Sequence, residues 1–283
     1  MSVRSVRGRP RLAAALLASG LLLSGCGGAT GDGGSPPGGV TADGKNVDGK
    51  NVDGKSADGT GGAGSPGGAA GRSAPEPRTS EPQTAEPKEI PGLGPKTLAA
   101  IPPGTTQAVV ATGSGKNRNT GTVLVYERDP VTGWAPVTDV WPTHNARRGW
   151  TDDHNQGDLR TPIGVFGLTD AGGLLPDPGT RLPYDRGPAF SVSGTGFQGE
   201  PLAGSFDYVV AINYNRVPGS TPLDWTRPLG AEKGGGIWLH VDHGGPTEGC
   251  VSLPRGRMKE LLRRLDPGKR PVVVMGDAES LRR

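Results

Sequence analysis

The stretch Gly236-Ile237-Trp238-Leu239-His240-Val241-Asp242-His243-Gly244-Gly245-Pro246-Thr247-Glu248-Gly249-Cys250-Val251-Ser252-Leu253-Pro254 sets a β-rich run, a glycine-rich loop and a cysteine one after another. Gly236 to Val241 carries aromatic and β-branched residues bounded by glycines, which reads as a strand. Side chains alternate along a strand, so Trp238, His240 and Asp242 share a face, whereas His243 already lies in the loop. A cysteine thiol is only a few per cent ionised at neutral pH, and a nearby imidazole that takes its proton is the simplest activator. Either His240 or His243 can supply that imidazole, and the alternation favours His240. Gly249, placed before the cysteine, permits close backbone approach and unusual dihedrals, which suits amide N–H groups of Gly249 and Cys250 aimed at a developing oxyanion. Thr247 either hydrogen-bonds near the sulfur or shapes the turn. Asp242 also reads as a plain strand-end carboxylate, and His243 as a polar loop residue.

The same residues also raise a metal site, because His240, Asp242, His243 and Cys250 include three ligand types within eleven residues. The spacing argues against it. A zinc site needs about four convergent ligands, and neither a second cysteine pair nor a helical His-Glu motif is present. No metal and no cofactor are expected.

Working outward, short β-rich segments recur between turn residues: Gln107 to Thr112, Thr122 to Glu127, Val137 to Trp141, Ile163 to Leu168, Asp207 to Asn213 and Pro271 to Met275. One amphipathic helix is predicted over Arg257 to Leu265, where Met258, Leu261, Leu262 and Leu265 fall on one face before Asp266-Pro267-Gly268. The fold expected is mostly β, a sandwich or barrel with one short amphipathic helix, in a single domain over 96–283. His144 and His154 lie in a polar, turn-rich stretch and are expected to be solvent-exposed or loop-stabilising.

The N-terminal third is different in character. Arg4, Arg7, Arg9 and Arg11 precede an apolar run from Leu12 to Leu23, and small residues lead to Cys26. About 12 apolar residues are too few to cross a bilayer core that needs roughly 20, so residues 1–25 read as a secretory signal. The small residues before Cys26 resemble a bacterial lipoprotein processing site, which implies lipidation of Cys26 and a protein held extracytoplasmically on the membrane. Residues 26–95 contain the repeat Asp43-Gly-Lys-Asn-Val, Asp48-Gly-Lys-Asn-Val, Asp53-Gly-Lys and a Pro/Glu-rich run; without hydrophobic periodicity they read as a disordered tether. The formal charge is +3, and the four signal arginines exceed it, so the rest of the chain is near neutral and no nucleic-acid face is expected. The chain has two cysteines. Exported proteins normally pair their thiols, so with the Cys26 sulfur given to a lipid, Cys250 reads either as a nucleophile or as an inert buried side chain.

His240 at a strand end followed by Thr247-Glu248-Gly249-Cys250 resembles the signature of the L,D-transpeptidase catalytic (YkuD-like) family, which has a histidine, a variable loop and Ser/Thr-x-Gly-Cys. A second family element, Thr-Pro-x-Gly-x-Phe, is matched by Thr161-Pro162-Ile163-Gly164-Val165-Phe166 after the polar run His154 to Asp158. The resemblance covers roughly Gln107 to Gly276. It implies a peptidoglycan enzyme in which Cys250 attacks the third residue of a stem peptide with His240 as base. The product would be a cross-link between two third-position residues, and carbapenem-type β-lactams are implied as inhibitors. Three departures mark this chain: the His240 to Cys250 interval is short, Glu248 stands where histidine is frequent, and Ser252 stands where Arg or Asn is frequent. His243, Thr247, Glu248 and Ser252 are therefore the expected supporting or substrate-binding residues. The alternatives are an L,D-carboxypeptidase or amidase on the same scaffold, and a non-catalytic wall-binding lipoprotein.

Overall fold

A computed structural model describes residues 86–283 of the chain. The expected signal, the expected lipidation at Cys26 and most of the expected tether fall outside the described residues. Twelve strands and three α-helices are present among the described residues: α1 (Pro95–Ala99), β1 (Gln107–Gly113), β2 (Thr120–Asp129), β3 (Gly133–Pro136), β4 (Trp141–His144), β5 (Trp150–Thr151), β6 (Thr161–Pro162), β7 (Gly164–Gly173), β8 (Tyr184–Arg186), β9 (Val209–Ile212), β10 (Trp238–Val241), β11 (Val251–Leu253), α2 (Arg255–Arg264), β12 (Val272–Asp277) and α3 (Ala278–Leu281).

Eight strands close on themselves in the order β1, β12, β7, β9, β10, β11, β4, β2, and β2 pairs back to β1. Of the two architectures expected, the barrel is the one formed. Closure removes most unpaired sheet edges, and an eight-stranded barrel is just wide enough for side chains to fill. Val109 and Ala111 of β1, Val123 and Val125 of β2, Leu239 and Val241 of β10, Val251 and Leu253 of β11, and Val273 and Met275 of β12 belong to one buried cluster. The predicted helix is α2, and its Met258, Leu261 and Leu262 join that cluster together with Leu265. Truncating one of these leucines to alanine is expected to cost roughly 2–5 kcal/mol.

β1 and β12 are buried on both faces, since Ala108, Val110, Val272 and Val274 pack outward with Ile90, Trp134 and Leu281. Double burial explains why Pro271 to Met275 reads as a continuous apolar run instead of an alternating one. Packing also extends upstream of Lys96: Ile90 is buried and Lys88 bridges Gly133.

The expected strand over Val137 to Trp141 does not form as one element. Only Trp141 is in a strand, β4, and Val137 to Val140 run irregularly between β3 and β4. Pro136 and Pro142 each remove a ladder donor, and the Val125 amide in β2 donates to the Thr138 side-chain oxygen instead of to a strand carbonyl.

Most neighbours in the ring are antiparallel, but β1 with β12 and β10 with β11 are parallel, the latter with Leu239 opposite Val251, His240 opposite Ser252 and Val241 opposite Leu253. β9 lies on the other side of β10, with Val209 opposite His240, and β4 lies beyond β11, with His144 opposite Ser252. Residues paired across a sheet point to the same face, so His240, Ser252 and His144 form one row across three strands.

Candidate active site

Leu239 and Val241 point into the barrel, so Trp238 and His240 point out of it. The same alternation on β11 sends Val251 and Leu253 inward and leaves Cys250 and Ser252 outward. Cys250 and Trp238 meet in a small cluster outside the barrel with Phe190, Phe206, Val209 and Ala211. Base candidate and nucleophile candidate therefore occupy one face of neighbouring strands, two positions apart along the chain direction. Phe206 touches both: it packs beside Cys250, and its ring meets His240 edge-on at 5.5 Å between centroids. Cys250 is fully buried, its Sγ accepts the Trp238 amide at 3.4 Å, and the Gly236 carbonyl lies 3.7 Å from it.

His240 is 1% exposed. Its Nδ1 lies 2.9 Å from the Val241 carbonyl oxygen, which can only accept, so Nδ1 carries the proton and Nε2 holds the lone pair. Nε2 has no hydrogen-bond partner among the described residues. Burial, only partly offset by the Val241 bond, pushes the ring down to about 4, with the neighbouring His243 ring adding in the same direction. At neutral pH the imidazole is uncharged, the form a general base requires.

His243 stacks on His240, with centroids 5.8 Å apart and planes 8° from parallel, and its Nδ1 lies 3.2 Å from Glu200 Oε1. The Glu200 carboxylate sits where a Cβ on Gly196 or Gly245 would collide with it, at 2.2 and 2.0 Å respectively. The ring that sequence assigned to the loop is thus fixed against the strand histidine by a carboxylate. Ser252 donates to Asp242 Oδ1 at 2.7 Å, and His144 Nδ1 lies 2.9 Å from the same oxygen. Asp242 is held down to about 2 by these two hydrogen bonds despite its partial burial, and the Asp242 partner raises His144. Ser252 and Asp242 therefore brace the polar row beside His240. His144, expected as an exposed or loop residue, is instead half-buried on β4 within that row.

The turn leading to Cys250 is pinned by Thr247. Its hydroxyl donates to the Cys250 carbonyl at 2.6 Å, its amide donates to Asn145 O, and its own carbonyl accepts from the Arg147 amide. Of the two roles weighed for Thr247, shaping the turn is the one the contacts describe. Gly249 is needed for space and not for unusual dihedrals. It is absent from the positive-φ glycines, but a Cβ there would meet Ile237 Cδ1 at 2.8 Å and His154 Cε1 at 3.7 Å. Glu248 lines a small cleft with His154, Gln156, Gly235, Ile237 and Gly249.

The second motif reaches the same place. His154 is buried, its Nδ1 lies 3.0 Å from Asp158, and its ring meets Tyr214 edge-on; Tyr214 in turn meets Phe166. Thr161 accepts the Ala146 amide next to the point where Ala146 bridges Thr247. His154 is thus buried and not exposed; its nearness to Asp158 and to the Gly249 position makes it loop-stabilising. Glu200 was missed by sequence reasoning, since it lies 43 residues before His243 in a loop without a local signature.

A histidine with a fixed tautomer and a buried cysteine thus lie on the same outer face of a closed β barrel. The family model for the L,D-transpeptidase catalytic domain (YkuD) matches residues 103–274, more than half of the chain, and the chain belongs to that family of cysteine-dependent transpeptidases. Its substrates are peptidoglycan stem peptides. A comparison with curated proteins found no match.

Proposed function

We propose that this protein forms cross-links between the third residues of two peptidoglycan stem peptides through an acyl-enzyme on Cys250. One observation carries the reading: His240, with its proton fixed on Nδ1, shares an outward sheet face with Cys250, the residue immediately before the adjoining strand. In the first half-reaction His240 Nε2 takes the thiol proton and the thiolate attacks the carbonyl of the third stem residue. Negative charge on the carbonyl oxygen is received by amide N–H groups at the Gly249-Cys250 turn. The intermediate collapses to a thioester, and the terminal residue leaves as an amine carrying the proton held by His240. In the second half-reaction the side-chain amine of an acceptor stem gives its proton to His240 and attacks the thioester. The amide forms and the thiol is restored. No step calls for a cofactor. We further propose that Cys26 is lipidated and tethers the domain to the outer face of the membrane, within reach of the wall.

The chemistry uses the sulfur as a thiol, so the test is run on reduced full-length protein with a disaccharide-tetrapeptide. Dimers joined through third residues are expected, and Cys250→Ala abolishes them. A tripeptide monomer as the sole product would assign the chain to hydrolysis instead, and no turnover at all would leave wall binding as its role. Carbapenem acylation is expected as a mass increase on the peptide containing Cys250, absent from the alanine variant.

A further inference from the structure

A cavity of about 240 Å³ opens beside the nucleophile, bounded by Gly236 and Trp238, which both contact the Cys250 sulfur, and by Phe206, Val192, Leu223 and Arg227. Its size falls below the roughly 300–1,000 Å³ of sites for drug-sized ligands, so it suits an amino-acid-sized segment. The walls are largely apolar, and Arg227 is the one ionised side chain on them.

That guanidinium is built in from three sides. Nη1 donates to the carbonyls of Asp224 and Thr226, both at 3.1 Å, and the group lies over the Trp225 ring at 4.8 Å. Its third side rests on the backbone of Gly235 and Gly236: a Cβ on Gly235 would meet Arg227 Nε at 2.2 Å, and one on Gly236 would lie 3.6 Å from Nη2. Gly235 and Gly236 also have positive φ, so the glycine run ahead of β10 both turns the chain and makes room for the guanidinium. Neighbouring charges are already engaged. Arg216 is ion-paired with Asp170 at 2.8 Å, and Asp224 accepts the Thr226 amide. Among the described residues no carboxylate is ion-paired with Arg227; its contacts are carbonyl dipoles and a ring, with the Asp224 charge acting on it from beyond ion-pair distance. A half-buried guanidinium held this way next to a nucleophile is matched to a planar anion, since its fork pairs with a carboxylate at two points.

We propose that Arg227 is a specificity determinant for the acyl donor: it receives a carboxylate of the stem peptide seated in this cavity while the adjoining carbonyl is presented to Cys250. The inference rests on the transpeptidase reading and adds to it the feature of the donor that is read. Two carboxylates on a tetrapeptide stem have the required chemistry, that of the terminal residue and one on the third-residue side chain.

The test uses the full chain carrying Cys250→Ala, so that nothing is consumed, and titrates three synthetic tetrapeptides calorimetrically: the dicarboxylate, its C-terminal amide and its third-residue side-chain amide. Arg227→Gln is expected to weaken the dicarboxylate about tenfold or more, the scale of one charged hydrogen bond. One of the two amides binds the Arg227 chain equally weakly and loses nothing further in Arg227→Gln, which identifies the carboxylate that is read. Arg227→Lys recovers part of the affinity. Equal weakening of all three peptides by Arg227→Gln, no weakening of any, or an Arg227 chain that binds none of them overturns the subsite. Turnover by the reduced Cys250 enzyme is measured alongside: dimer formation with a failed subsite retains the transpeptidase, whereas no turnover of any donor rejects that reading separately.

Discussion

Replacing His240 with asparagine removes the titrating ring while keeping an N–H that can reach the Val241 carbonyl, and this isolates one pH-dependent contribution to stability. Burial lowers His240 from the ordinary imidazole value of 6.5 to about 4. The unfolded chain therefore binds a proton on this residue at a pH where the folded chain does not, and acid favours unfolding. The sign is that of a depressed base: the contribution is fully present above the unfolded value, shrinks as pH falls below about 6.5, and is exhausted below about 4. The span corresponds to about 3 kcal/mol, of which about 2 kcal/mol is lost by pH 4.5. His144 works in the opposite direction, because Asp242 raises it, so its contribution is present in acid and is lost as pH rises through its folded value. Asp242, held at about 2, keeps its contribution throughout this window. The raw acid slope is therefore a mixture, and the informative quantity is the difference between parent and variant. Urea unfolding of both at pH 7 and pH 4.5 should show the parent losing about 2 kcal/mol more than His240→Asn. Parallel losses in the two proteins would refute a neutral, buried ring and, with it, the assignment of Nε2 as the waiting base.

Thr247→Val keeps the shape of the side chain but leaves the buried Cys250 carbonyl without the hydroxyl at 2.6 Å; a loss of about 1–3 kcal/mol and slower carbapenem acylation are expected, with Thr247→Ser near normal in both urea midpoint and acylation rate. Gly249→Ala should be destabilised by about 1–3 kcal/mol through contact with Ile237 Cδ1, and adding Ile237→Val, which deletes that methyl, should restore part of the urea midpoint. Arg216→Met leaves the Asp170 carboxylate buried and uncompensated, for a loss of about 3–5 kcal/mol in thermal or urea unfolding; adding Asp170→Asn should recover part of it.

The elements with their own local signal were legible in sequence: α2 by its period, β10 by aromatic and β-branched residues, and β12 by its continuous apolar run. β11 was not, because Val251-Ser252-Leu253 is three residues between a Gly-Cys pair and a proline, too short for alternation to register. It becomes a strand only because β10 and β4 flank it. His240, Thr247, Gly249 and Cys250 lie in one contiguous stretch, so the sequence alone could nominate them together. Glu200, His144 and His154 were not placed, since each arrives from a distant segment and is fixed by barrel closure or by loop packing. Arg227 was invisible for the same reason: its meaning comes from the glycines it rests on and from the carboxylates that lie elsewhere.

The parallel pairing of β10 with β11 obliges the chain to leave one end of the sheet and re-enter at the other between the two reactive residues. Backbone ladders hold the imidazole and the sulfur in register, so the length of the excursion between them is free to drift without moving either. With partners only three and four residues long, nine intervening residues suffice for the return, and the abbreviated interval in this chain costs no alignment. The exposed tip at Gly244 is accordingly a position where evolution or an engineer could graft a longer excursion, changing what covers the reacting pair while leaving their mutual placement alone.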